Sequence, residues 1–174
     1  MKNSKLVLDS KWMRVRKEEI LLPDGTIVED YFLWEQGDIV IVVPMTVDGL
    51  FLLVEQYRHG AGKFLVEFPG GMQESSETAF SAAHRELLEE TGYVVDQLIL
   101  LGTFHDSPTK AEGVTRVYLG SNAVYRQATN FDVTEDIESM LVSSNTLKEC
   151  INSGKIQVSG SIAAAHLALQ FLGL

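Results

Sequence analysis

Three glutamates, Glu86, Glu89 and Glu90, stand at i, i+3 and i+4 in the stretch Arg85-Glu86-Leu87-Leu88-Glu89-Glu90-Thr91-Gly92. On a helix that spacing gathers the carboxylates on one side. Like charges at i,i+4 cost a few tenths of a kcal/mol, roughly, per pair. They also sit near the helix C-terminus, where the macrodipole disfavours anions. Arg85 offsets part of this and reaches Glu89 at i,i+4. A hard divalent cation would offset far more, because Mg²⁺ takes carboxylate and water oxygens, commonly beside substrate phosphates. The plain alternative is a solvated acidic helix end, which is what an isolated acidic triplet usually is.

The surroundings decide between the two. From Gly71 the chain reads Gly, five residues, Glu77, seven residues, Arg85-Glu86-Leu87, one residue, Glu89-Glu90, one residue, Gly92. This resembles the Nudix box, the signature of hydrolases that cleave a nucleoside diphosphate linked to another moiety. Tyr93 departs from the pattern, standing where an aliphatic residue is usual, and Val94 is at hand to supply the apolar contact. The resemblance implies that Glu86 and Glu90 are the principal Mg²⁺ ligands, with Mn²⁺ a possible substitute. It makes Glu89 a ligand or water activator and gives the Gly70 carbonyl to the same ion. Arg85 and Glu77 then orient the cluster, as metal sites generally require. The implied reaction is hydrolysis of a P–O–P link by water, with no covalent intermediate.

The flanking segments extend the resemblance. VEQYRHGAGKFLVEFPGG looks like the corresponding part of ADP-ribose pyrophosphatases. By that likeness Arg58 contacts the substrate phosphates, and Glu67 touches the substrate or a neighbouring partner. In DSPTKAEG, Pro108 stands where that group carries a proline, and Glu112 just beyond is a candidate to face the site. FDVTEDIESMLV resembles the acidic loop that supplies a catalytic carboxylate there, but Val133 replaces a usual glutamate. The general base therefore stays open among the loop residues Glu135, Asp132, Glu138 and Glu112, and Glu89 from the box. The implied assembly is a homodimer through the N-terminal strands, with the partner completing the nucleoside pocket. Tyr31, Phe32 and Trp34 read first as dimer core and second as base-stacking residues.

These side chains need elements to hold them. A helix is predicted over residues 76–91, with Ser75 or Ser76 as N-cap and Gly92 as stop. On its wheel Phe80, Ala83 and Leu87 share a sheet-facing side, while Ala79, Ala83, Glu86 and Glu90 form a second stripe. Small residues there admit a close backbone. KEEILL and TIVEDYFLWE flank a Pro-Asp-Gly turn as a hairpin. DIVIVVPMT, LFLLVEQY, FLVEFP, VVDQLILLGTFH and GVTRVYLGSNAVY read as strands, and SSNTLKECINSG and GSIAAAHLALQFLGL as closing helices. The elements predict an α+β fold, a mixed sheet with helices packed on it plus a small N-terminal antiparallel sheet, and the resemblance implies that these form an α/β/α Nudix-like sandwich. The expected division is a dimer-forming strand and hairpin extension at 1–36 and a hydrolase domain at 37–174.

Bulk properties narrow the setting. The 174 residues suit a sizeable core, and a net charge of −10 argues against a nucleic-acid partner. Cys150 is the lone cysteine, so no intrachain disulfide forms. The N-terminal stretch lacks the apolar core of a signal peptide, and the apolar C-terminal segment is too short to span a bilayer. A cytoplasmic setting and no membrane partner are expected. Two readings compete with an ADP-ribose-type substrate: an enzyme that clears oxidised nucleoside triphosphates, and a non-catalytic nucleotide-sensing domain.

Overall fold

The computed structural model of the chain describes residues 3–129 and 137–174. Twelve strands and three helices are assigned among them. A first sheet is a meander of β1 (Asn3–Asp9), β2 (Arg14–Leu21) and β3 (Ile27–Trp34), all antiparallel. The hairpin β2–β3 is the one expected from the Pro-Asp-Gly turn, in which Asp24 accepts from the Thr26 amide. Strand β1 is additional. It pairs with β2 through a register shift between Leu6 and Leu8, which breaks the alternation that a sequence pattern relies on.

The central sheet is built on β4 (Ile39–Met45), β5 (Phe51–Arg58), β9 (Gln97–Phe104), β10 (Thr115–Ser121) and β12 (Ile137–Val142), in the order β12-β5-β4-β10-β9. Strands β4 and β10 run parallel and the other pairs antiparallel, so the sheet is mixed. Strands β4 and β5 share one pair, Met45 with Phe51, and then separate. The short strands β6 (Lys63–Glu67) and β7 (Gly70–Met72) occupy the opening, β6 on β5 and β7 on β4. FLVEFP is therefore not one strand to its end. The chain breaks at Phe68-Pro69 and resumes pairing at Gly70, because proline cannot donate to a ladder. A two-stranded piece, β8 (Tyr93–Val94) with β11 (Val124–Tyr125), sits apart.

Both faces of the sheet are covered, and the alternation in β4 shows how. Val40 and Val42 enter a core with Leu52, Ala82, Ala83 and Leu87 of α1 (Ala79–Thr91). Ile41 and Val43 enter the opposite core with Phe51, Leu53, Val117, Leu147 of α2 (Ser144–Asn152) and Ala164, Ala165 and Ala168 of α3 (Ser159–Leu172). A strand buried on both faces reads as an unbroken apolar run, and IVIVV is one. The layers are helix, sheet, helices, as the sequence led us to expect. The alanines of α3 let it lie close to the sheet. No helix of the described residues is long and apolar enough to cross a membrane.

Helix α1 begins later than expected. Its N-cap is Thr78, whose side chain accepts from the Ser81 amide, so Ser75 and Ser76 lie in the preceding turn. Phe80 does not pack on the sheet. It is half exposed and meets His84 edge-on at 4.8 Å between ring centroids. With Thr78 as N-cap, Phe80 falls in the first turn and is left exposed, and Ala82, Ala83 and Leu87 form the apolar buried face.

Candidate active site

The acidic end of α1 is held against the turn that follows β6. Glu90, 5% exposed, accepts from the Gly70 amide through Oε2 at 2.9 Å. A Cβ on Gly71 would lie 2.5 Å from Glu86 Oε1 and 2.6 Å from its Cδ, so the carboxylate fills the space a side chain would take. At the other end of the box, Gly92 has φ +72°, and a Cβ there would meet the Gln127 carbonyl oxygen at 2.1 Å. A glycine is needed on both counts. Its amide closes the helix on Leu88 O at 2.8 Å.

Arg85 organises the carboxylates. Its Nη2 donates to Glu77 Oε1 at 2.6 Å and to the Met72 carbonyl at 3.1 Å, and its Nε to Glu77 Oε2 at 3.2 Å. Its Nη1 donates to Glu86 Oε1 at 2.9 Å and Glu89 Oε2 at 3.1 Å. Glu77 also accepts from the Glu74 amide at 2.9 Å. The consequences for titration follow from these contacts. The Arg85 guanidinium, and next the Glu74 amide, hold the Glu77 carboxyl below the ordinary carboxylate range. Glu77, ahead of Glu86 and Glu89, pushes Arg85 well above its ordinary value. Burial alone lowers the neighbouring His84.

Do these residues suit a divalent ion? Among the described residues no three acidic, histidine or cysteine side chains already converge on a metal position. Glu86 and Glu89 turn instead onto Arg85. The donor set is nevertheless of the right chemistry: hard carboxylate oxygens on successive turns, with the Glu86 carboxylate seated against Gly71, which has no side chain of its own. Glu86, Glu89 and Glu90 would hold such an ion, with the backbone at Gly70 adjoining.

A cleft of about 380 Å³ has Gly70, Gly71 and Met72 in its wall. Its walls include Arg58 and Glu67, Trp34 and Gln36, Asp106 and Thr115, and the start of α3 from Val158 to Ser161. Arg58 and Glu67 form a two-pronged ion pair at 2.8 and 3.0 Å, the strong geometry for guanidinium and carboxylate. Arg58 lies opposite Lys63 and Glu67 opposite Val54 in the β5–β6 ladder, so the pair crosses the strands diagonally.

The remaining expected residues lie elsewhere. Glu112 does not line the cleft: it binds Arg16 Nη2 at 2.5 Å, within a network in which Arg16 also holds Glu18 and Glu35. Pro108 is likewise on the outer loop between β9 and β10 and not among the cleft walls. That loop is stitched to β3, with the Tyr31 hydroxyl donating to Thr109 O at 2.5 Å and the Trp34 amide to Lys110 O at 2.7 Å. Glu138 is in strand β12 opposite Glu55, not in a loop. Asp132 and Glu135 fall outside the described residues. Tyr93 packs against the α1-side core itself, and edge-on against Tyr125 at 5.6 Å, so it supplies the apolar contact expected of Val94.

Sequence reading missed Gln36, Asp106, Thr115 and Ser161. Ser161 is buried and accepts from the Phe68 amide at 3.0 Å, which locks α3 to the turn before Gly70. Asp106 accepts from the Thr115 hydroxyl. None of these stands in a local pattern. They meet because β4 lies between β7 and β10, with Ile39 opposite Met72 on one side and Thr115 on the other.

The NUDIX domain family matches residues 35–157, which take in the turn, the acidic helix and most of the cleft walls, though not Trp34 or Val158 to Ser161. The chain belongs to the Nudix family. It is a Nudix pyrophosphohydrolase, with Arg85, Glu86, Glu89 and Glu90 all in place. The nucleoside diphosphate sugar hydrolase N-terminal domain family matches residues 2–34. An ADP-ribose pyrophosphatase of Bacillus subtilis is 28% identical over 169 residues, covering 97% of this chain and 89% of that protein. A methanol dehydrogenase activator of Bacillus methanolicus is 28% identical over 166 residues, covering 94% and 89%. The crystal structure of an ADP compounds hydrolase superposes with a TM-score of 0.86 at 19% identity, over 99% of this chain and 92% of that one, which establishes the Nudix fold.

Proposed function

We propose that this Nudix enzyme hydrolyses the pyrophosphate link of ADP-ribose, or of a closely related ADP-sugar, with Mg²⁺ as its cofactor and Mn²⁺ as a substitute. The observation that carries the reading is the junction of box and cleft: Glu86 and Glu90 press on Gly71 and Gly70, and those two glycines form a wall of the cleft that Arg58 also lines. The near full-length likeness to an ADP-ribose pyrophosphatase supports the substrate class.

A divalent ion held by Glu86, Glu89 and Glu90 would neutralise the diphosphate and make a nearby water more acidic. The chain's own groups then have separate tasks. Arg58 exchanges part of its pairing with Glu67 for a substrate phosphate, for which its planar fork is suited. Arg85 holds Glu77, Glu86 and Glu89 in register. Glu89 is the box carboxylate open to water, its side chain 41% exposed against 13% for Glu86. We assign it the proton of the attacking water. Glu112 is a poorer base, being engaged by Arg16. Residues 1–36 act as a dimer-forming unit and the partner completes the nucleoside pocket. Exposed Trp12 and Met13 in the turn between β1 and β2, and Ile27 and Phe32 on the small sheet, support that role.

The test is release of AMP from ADP-ribose in Mg²⁺, beside ADP-glucose, GDP-mannose, NADH and 8-oxo-dGTP. Preferential turnover of ADP-ribose is expected. Turnover of 8-oxo-dGTP alone would favour the nucleoside triphosphate reading, and no turnover at all the sensing one.

A further inference from the structure

Among the described residues the cleft walls carry three charges: Arg58, Glu67 and Asp106. Arg58 and Glu67 offset one another in their two-pronged pair. Asp106 has no cationic partner among the described residues. Its Oδ2 accepts from the hydroxyl of Thr115, a residue 1% exposed at the start of strand β10. That bond engages one oxygen and leaves the other, Oδ1, with acceptor capacity on an exposed residue that lines the cleft. Thr115 and Met72 flank Ile39 on opposite sides, so the Asp106 end lies about two strand spacings, roughly 10 Å, from the Gly71-Met72 wall. The diphosphate belongs at the wall beside the box. The far end therefore receives a part of the substrate that does not react.

A carboxylate at that end accepts hydrogen bonds and repels anions. Resting on the reading of the site given above, we propose that Asp106 is a specificity-determining residue. It selects substrates whose non-reacting part is uncharged and hydroxyl-bearing, and excludes those carrying an additional phosphate there. Thr115 is its positioning residue. This favours a plain sugar nucleotide over a phosphorylated one, and does so by charge rather than by the size of the cleft.

The experiment compares dissociation constants for ADP-ribose, ADP-ribose 2′-phosphate and ADP-ribose 1″-phosphate, by calorimetry on the full chain in Ca²⁺, for wild type and Asp106→Asn. Wild type should bind ADP-ribose at least about tenfold tighter than one of the phosphorylated ligands, since like-charge contacts are strongly unfavourable at recognition sites. Asp106→Asn should close most of that gap, while its melting temperature shows that the fold is kept. In wild type the gap should also narrow as salt rises, because the repulsion is screened. A gap unchanged in the variant and in salt overturns the assignment of Asp106 alone. Failure of wild type to bind any of the three overturns the substrate class and this inference together.

Discussion

The amide of Gly70 donates to Glu90 Oε2 across 2.9 Å, joining the turn after β6 to the last turn of the acidic helix. The bond orients a carboxylate that is 5% exposed and that would be costly to bury without a partner. It places the box beside the cleft wall.

Glu90→Gln should cut Mg²⁺-dependent turnover by roughly tenfold or more, since even outer contacts of metal sites carry effects of that size. The amide can still accept from Gly70, so the melting temperature should change little. Steady-state kinetics with thermal melting separates the two, and undiminished turnover would remove Glu90 from the site.

Gly71→Ala places a methyl group within 2.5 to 2.7 Å of the three terminal atoms of Glu86. The carboxylate must rotate away. Affinity for Mn²⁺, read by electron paramagnetic resonance, should fall by about tenfold, again the scale of disturbing a metal site's surroundings. Far-ultraviolet dichroism should be unchanged. Equal Mn²⁺ affinity in variant and wild type would mean that Glu86 is not a ligand.

Arg85→Met should flatten the acid limb of the stability curve. The folded-state pKa of Glu77 is lowered, chiefly by Arg85, so its contribution is present above the ordinary value of 4.5 and is lost as pH falls through the folded value. Without the guanidinium most of that depression goes. Melting temperatures of wild type and variant should differ near neutral pH and converge in acid. A constant difference across the series would contradict the assignment.

Arg16→Ala should destabilise the protein by about 2 to 4 kcal/mol in urea unfolding. Glu18 is 4% exposed and is held by Arg16 Nε at 3.0 Å and Ser4 Oγ at 3.1 Å. Removing the arginine leaves a buried carboxylate without its cation, which costs far more than loss of a surface pair. A loss under about 0.5 kcal/mol would show that water reaches Glu18.

Gly92→Ala forces a Cβ into a left-handed conformation and onto the Gln127 carbonyl oxygen. A loss of roughly 1–3 kcal/mol or more is expected. The damage should appear first in hydrogen exchange of the β8–β11 pair, because the Arg126 amide also bonds Gly92 O at 2.8 Å. Uniform loss of protection across the sheet would speak against so local an effect.

While the α/β/α layering was expected only from the resemblance to the Nudix family, the sequence alone determined the acidic helix, its glycine stop, the apolar strands and the Pro-Asp-Gly hairpin. Each is written in short-range terms: carboxylates at i, i+3 and i+4, IVIVV flanked by turn residues, a Pro-Asp-Gly hairpin. It misplaced the helix start because Ser75, Ser76 and Thr78 are all acceptable caps, and only the Thr78 bond to Ser81 distinguishes them. It put Phe80 in the core because a wheel shows which residues share a side, not which of them the rest of the chain covers. Only the tertiary structure decided which far-apart groups meet. Arg58 crosses the ladder to Glu67, Arg16 draws Glu112 away from the cleft, and Thr115 fixes Asp106 at its far end. Those contacts depend on strand order. The order is set by which apolar faces bury together across the whole chain, and no local spacing records it.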